Sequence, residues 1–164
     1  MLPRKSLLKR KRPGEIVTYQ MIAANLDAAL IIQSCHFDLN SARLERYVVV
    51  ATEAEIEPVV ILTKTDLLSP EELDGIVADI RDAGIRTRLQ TISNLTGEGL
   101  QELSRMLESR RTYCLLGSSG VGKTPLINRL LGRDEYETRE VSETGEGVHT
   151  TVRRQLLPLD NGAL

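Results

Sequence analysis

Eight residues, Gly117-Ser118-Ser119-Gly120-Val121-Gly122-Lys123-Thr124, have the types and the spacing that hold a phosphate chain. Glycines let consecutive backbone amides point inward, the start of a following helix adds positive potential, and a lysine and a hydroxyl complete the cradle. In that chemistry Lys123 neutralises the β- and γ-phosphates of a nucleoside triphosphate, and Thr124 offers its hydroxyl to Mg2+. Pro125 follows directly. A proline has no amide for the α-phosphate and disfavours a helical Thr124, which should weaken nucleotide binding by about 1 kcal/mol.

A phosphate cradle does not choose a base. That choice falls to Thr63-Lys64-Thr65-Asp66, at the end of an apolar run, where ligands meet open α/β sheets. The Asp66 carboxylate can accept from the N1 and N2 donors of guanine, a pair that adenine lacks, and Lys64 can lay its aliphatic stem over the base. Such a motif usually begins with Asn. Thr63 keeps a hydroxyl but lacks the amide's paired donor and acceptor. Read alone, Asp66 is also a residue that starts a turn. At the end of the next expected strand comes Thr91-Ile92-Ser93-Asn94-Leu95-Thr96-Gly97-Glu98-Gly99-Leu100, in which Ser93 and Asn94 stand where a loop would support the guanine O6; alone it is equally a strand-to-helix turn. The last segment is Gly145-Glu146-Gly147-Val148-His149-Thr150-Thr151. A threonine of such a loop closes on Mg2+ and the γ-phosphate, so Thr150 or Thr151 is the candidate, with His149 beside them. These three are the catalytic candidates, and Thr124, Thr150 and Thr151 the metal candidates. His36 has no such neighbours and reads as structural.

These segments need a sheet to bring them together. Short apolar runs at 28–33, 58–63, 87–92, 113–116 and 152–158 read as strands, and helical patterns separate the first four, which argues for a parallel sheet with helices on both faces. The clearest helix opens at Ser69-Pro70-Glu71-Glu72, a capping box with proline in the first turn, and Gly84 supplies its left-handed stop. Other helices are expected at about 42–53, at 99–109 and from Gly122 to Gly132. Residues 133–147, polar and rich in Glu and Thr, read as a loop. Asp160-Asn161-Gly162 reads as a hairpin turn, with Ala163 and Leu164 leaving an unpaired edge.

Composition bounds the rest. A chain of 164 residues, 41% of them hydrophobic, has the size and core of one domain. With no Trp, one Phe and four Tyr, stacking platforms for single-stranded nucleic acid are not evident. The net charge of −2 conceals a basic head: Arg4, Lys5, Lys9, Arg10, Lys11 and Arg12 precede a remainder with 15 basic and 23 acidic residues. Such a head fits a phosphate backbone, and equally a solvated tail. Cys35 and Cys114 lack the spacing of a metal site and read as buried free thiols of a reducing compartment. No apolar run approaches the ~18 residues of a membrane span, so the expected protein is cytoplasmic with no membrane partner.

Ordinary GTPases carry the phosphate loop before the guanine-reading segment; here the order is reversed. These residues in this order resemble the circularly permuted bacterial GTPase family that matures the small ribosomal subunit (RsgA, YjeQ or EngC). The resemblance extends from Leu2-Pro3-Arg4-Lys5-Ser6-Leu7 through Ile22-Ala23-Ala24-Asn25-Leu26-Asp27 to the last hairpin. It implies a P-loop GTPase-like α/β core over 25–164, with 1–24 as the basic junction to an oligonucleotide-binding barrel. It also implies an Asp-x-x-Gly strand after Leu164, not reached here, and a zinc-binding domain beyond it, so no zinc site is expected in this chain. The implied cofactors are GTP or GDP and Mg2+; the implied partners are the small ribosomal subunit and its rRNA. The family's loop usually reads Gly-Arg-Gly-Arg-His-Thr-Thr, so Glu146 and Val148 replace two arginines. Two further readings stand beside GTP hydrolysis: a non-catalytic nucleotide-binding piece, suggested by Pro125 and the missing Asp-x-x-Gly, and a P-loop ATPase or kinase.

Overall fold

The computed structural model describes residues 3–11, 19–36, 39–133, 136 and 155–164. In chain order they form β1 (Leu7–Lys11), β2 (Tyr19–Ala24), β3 (Ala28–Ser34), α1 (Ser41–Glu53), β4 (Glu57–Thr63), α2 (Pro70–Asp82), β5 (Arg88–Thr91), α3 (Leu100–Met106), β6 (Tyr113–Leu116) and α4 (Lys123–Leu131). A single 3-10 turn, Thr65–Leu67, follows β4.

The apolar run Ala28 to Ile32 of β3, and the Gln33 and Ser34 that end the strand, are buried at every position, as in a strand covered on both faces. It is central in a parallel sheet of order β5-β4-β3-β6. Pairing with β4 runs from Ala28↔Glu57 to Ser34↔Thr63, and pairing with β6 from Ala28↔Tyr113 to Ile31↔Leu116. Alternate side chains enter two cores. Leu30, Ile32, Val59 and Ile61 pack with Leu103 of α3 and Leu126 of α4. Ile31, Val60 and Leu62 pack with Leu44 of α1 and Ile80 of α2. All the strands of this sheet therefore end on one edge, above which the loops after β4, β5 and β6 gather.

The helices start and stop for local reasons. Asn40 caps α1 by accepting from the Arg43 amide at 2.8 Å. Ser69 and Glu72 of α2 form the full capping box. The expected helix over 99–109 is shorter: α3 ends at Met106, and Leu107 is already extended. Its buried side chain keeps the helical spacing, but the Tyr113 hydroxyl accepts from the Glu108 amide at 2.8 Å and pulls the chain towards β6.

Three differences lie at the ends. Residues 7–11 and 19–24, not expected to be strands, form an antiparallel ribbon whose Leu8 is buried with Leu26, Ala29, Ala51 and Ile56. The strand expected over 152–158 is not formed by residues 155–158; Pro158 cannot donate to a ladder, and residues 152–154 lie outside the described set. The turn at Asp160-Asn161-Gly162 is present, closed by Leu159 N–H to Ala163 O at 2.9 Å. Its second arm is paired rather than open, because Leu164 accepts from the Tyr113 amide at 2.7 Å and donates to Arg111 O at 3.0 Å. That alternation extends the sheet beside β6 in the parallel sense. The expected loop at 133–147, Arg133 and Tyr136 apart, also lies outside the described residues. Among the described residues no helix is long and apolar enough to cross a membrane.

Candidate nucleotide-binding site

The eight-residue loop leaves β6 and opens α4, the setting a phosphate cradle needs. Gly117 passes close over the end of β3: a Cβ there would lie 2.5 Å from the Ile32 carbonyl oxygen. Gly122, at φ +96°, caps α4 without a side-chain hydrogen bond, so the first-turn amides receive no acceptor from a capping side chain and are available to an anion. Thr124 is helical despite the proline after it, and Pro125 falls in the first turn, where no intrahelical partner is lost. The first helical bond runs from Leu126 N–H to Gly122 O at 3.1 Å. Pro125 still supplies no amide to the cradle.

Lys123 is half-buried, and its ammonium donates to Gly117 O at 3.0 Å and to Ser118 O. Burial lowers its pKa from the ordinary lysine value. The loop carbonyls are thus the ammonium's present partners, which phosphate oxygens of full charge would replace. The half-buried Thr124 lies in the same turn. As a hard oxygen donor beside a phosphate cradle its hydroxyl fits Mg2+, a cation that takes few protein ligands and shares its shell with phosphates. His149, Thr150 and Thr151 lie outside the described residues.

The guanine-reading candidates follow β4. Thr63, its last residue, is fully buried. Lys64 has a left-handed backbone, φ +62°, a strained conformation for a residue with a side chain. It bends the chain into the 3-10 turn, where Asp66 meets the next loop. There the Ser93 hydroxyl donates to Asp66 Oδ1 at 2.5 Å while accepting from the amides of Leu95 at 3.2 Å and Thr96 at 3.0 Å. Ser93 is fully buried and Asp66 is exposed. The carboxylate is thus aimed by a fixed hydroxyl, with its remaining lone pairs open to solvent.

The phosphate loop and the base loops are joined directly. The Thr63 hydroxyl donates to Val121 O at 2.6 Å, and the Asn94 side-chain amide donates to Gly122 O at 3.2 Å. From α4, Arg129 donates to Asn94 O at 3.0 Å and Leu95 O at 3.3 Å. All three candidate segments that are described therefore meet around Gly122. Sequence reasoning finds Thr63, Asp66, Ser93 and Asn94 but not these bonds, and it misses Arg129 altogether. Its spacing from Leu126 and Leu130 marks it only as a polar position on α4.

Known proteins resemble this chain in sequence and in fold. A family model described as RsgA GTPase matches residues 1–164. A protein of Opitutus terrae named small ribosomal subunit biogenesis GTPase RsgA is 38% identical over 165 residues, covering 100% of this chain and 44% of that one. One of Vibrio parahaemolyticus named small ribosomal subunit biogenesis GTPase RsgA 2 is 36% identical, covering 100% and 46%. The chain thus spans just under half the length of these curated relatives. The crystal structure of YjeQ from Thermotoga maritima superposes with a TM-score of 0.69 at 26% identity, covering 98% of this chain and 50% of that one. YloQ, described as a circularly permuted GTPase, shares the fold with a TM-score of 0.54 at 19% identity, covering 80% and 50%. With a family match over its full length and a permuted GTPase fold, the chain belongs to the RsgA GTPase family.

Proposed function

We propose that this chain binds GTP and GDP with Mg2+ at the three-loop site and is the nucleotide-binding core of a GTPase that acts, in the cytoplasm, on the small ribosomal subunit. The observation that carries the reading is the joining of phosphate and base loops by Thr63 and Asn94, with Asp66 held by Ser93 beside them. Asp66 accepts from guanine N1 and N2, Lys64 covers the base, and Lys123 meets the β- and γ-phosphates. Thr124, with Thr150 or Thr151, holds the metal, which when bound offsets charge on the phosphate oxygens. Gly117, Ser118, Ser119, Gly120, Val121 and Gly122 wrap the phosphates with their backbone. In hydrolysis a water oxygen bonds to the γ-phosphorus, the bond to the β,γ-bridging oxygen breaks, and GDP and phosphate leave.

The basic head is the proposed rRNA contact. Lys9 lies over the Tyr19 ring at 4.9 Å, so one cation is anchored on a ribbon of β1 and β2. Neutralising Arg4, Lys5, Lys9, Arg10, Lys11 and Arg12 together should weaken ribosome association and flatten its salt dependence.

The test is titration with fluorescent GDP and fluorescent ADP in Mg2+, each competed with unlabelled nucleotide. Tight GDP binding, weak ADP binding and loss of that preference in Asp66→Ala are expected. Equal competition by GTP and ATP would refute the guanine site. The absent amide of Pro125 favours a second reading, nucleotide holding without turnover; GTP hydrolysis that disappears in Lys123→Ala would eliminate it.

A further inference from the structure

We infer that Asn94, from the loop after β5, supplies the phosphate-loop donor that a threonine at position 63 cannot, and so is a positioning residue for that loop. The inference rests on the nucleotide-binding reading above and adds a division of labour within it. A threonine hydroxyl has one proton to give. Thr63 gives it to Val121 O at 2.6 Å, while the Gln33 carbonyl stands farther off at 3.4 Å. A side-chain amide has two protons, and the carbonyl next along the loop, Gly122 O, which accepts from the Leu126 amide at 3.1 Å, takes a second donor from Asn94 at 3.2 Å. Thr63 and Asn94 thus tie successive carbonyls of the phosphate loop from two different loops.

The geometry at Gly122 ties the two side chains to one point. A Cβ on Gly122 would lie 2.9 Å from Asn94 Nδ2 and 3.7 Å from Thr63 Oγ1. The orientation of the Asn94 amide is fixed by chemistry, because its oxygen turned towards Gly122 O would set acceptor against acceptor. Asn94 Oδ1 is buried and has no hydrogen-bond partner among the described residues, so the Nδ2 bond is what holds the amide there. The main chain beneath it is clamped separately by Arg129 on Asn94 O and Leu95 O. Loss of the Asn94 side chain therefore removes one of the two side-chain ties on the phosphate loop, the other being Thr63 on Val121 O, without releasing the base loop.

The test compares the unsubstituted chain with Asn94→Ala, Asn94→Asp, Thr63→Asn and the pair Thr63→Asn with Asn94→Ala. Hydrogen–deuterium exchange of residues 117–124 is measured without nucleotide, and GDP affinity by fluorescent titration. Asn94→Ala is expected to speed exchange in 117–124 and to weaken GDP about five-fold, the loss of one net hydrogen bond. Asn94→Asp, which keeps the volume and sets an acceptor against Gly122 O, should do more. Adding Thr63→Asn to Asn94→Ala should restore both readouts to within about two-fold, which simple loss of packing would not allow. Unchanged exchange in both Asn94 variants, or a paired variant no better than Asn94→Ala, overturns the inference. An unsubstituted chain that binds no GDP refutes the proposed function instead, and the exchange data still decide the role of Asn94.

Discussion

Replacing Thr63 by Val exchanges a hydroxyl for a methyl of nearly the same shape at the junction of the two halves of the site. The hydroxyl lies 2.6 Å from Val121 O, and Thr63 and Val121 are both buried, at 0% and 1% exposure. A methyl carbon approaches a carbonyl oxygen no closer than about 3.3 Å, so the loop must withdraw by roughly 0.7 Å or the new side chain must turn its methyls elsewhere. In either case the Val121 carbonyl loses its donor in a dry place, which costs about 1–3 kcal/mol. The added methyl recovers less than about 1 kcal/mol of transfer free energy. The expected net loss is about 1–2 kcal/mol, read as a lower urea midpoint with unchanged m-value. Because the loop itself moves, GDP affinity should fall as well, whereas Thr63→Ser keeps the donor and should keep the affinity. A Thr63→Val chain within about 0.5 kcal/mol of the original in stability, binding GDP equally well, would show that the hydroxyl bond does not hold the loop.

Gly117→Ala sets a Cβ 2.5 Å from Ile32 O and 3.1 Å from Val121 Cγ2; overpacking against backbone should cost about 1–3 kcal/mol in urea unfolding and weaken GDP binding. Ser69→Ala removes the cap of α2 and should cost about 1 kcal/mol with no change in GDP affinity, since α2 packs on the face of the sheet opposite α4. Burial pushes the Cys35 and Cys114 thiols from 9.0 up to about 11. Raised folded values mean that the unfolded chain loses these protons first. The stabilisation is therefore complete below about pH 9 and lost as pH rises towards about 11; urea midpoints at pH 8 and pH 10.5 should show the fall, and the Cys35→Ala, Cys114→Ala pair should reduce it.

Local signals in the sequence suffice where a few neighbouring residues settle the matter. The apolar run of β3, the Ser69-Pro70-Glu71-Glu72 start of α2 and the strand–loop–helix setting of Gly117 to Thr124 need no distant partner to be recognised. The ribbon of β1 and β2 is hidden from such a reading because Lys9, Arg10 and Lys11 interrupt its apolar alternation, while Leu8 reaches the core. The end of α3 is misplaced by it because Leu107 keeps the helical spacing while Tyr113 binds the Glu108 amide. At the site, residue types point to guanine and phosphate, but the bonds that unite them join side chains to main chain across 58 positions for Thr63–Val121 and 28 for Asn94–Gly122. Such bonds follow from topology and leave no local pattern to read.

The sheet order carries a consequence for how the molecule assembles. Ala28 pairs with Glu57 and Val59 with Arg88, each closing about 30 residues, whereas Ala28 pairs with Tyr113 across about 85. Loop-closure entropy makes the longer closure costlier by about 1 kcal/mol. The strands that present Thr63, Asp66 and Ser93 belong to two consecutive strand–helix–strand units of the nascent chain, and the strand feeding the phosphate cradle is synthesised after them. A permuted order thus lets the base-selecting half close on local segments during synthesis, and leaves the glycine-rich half to be seated on a scaffold already made.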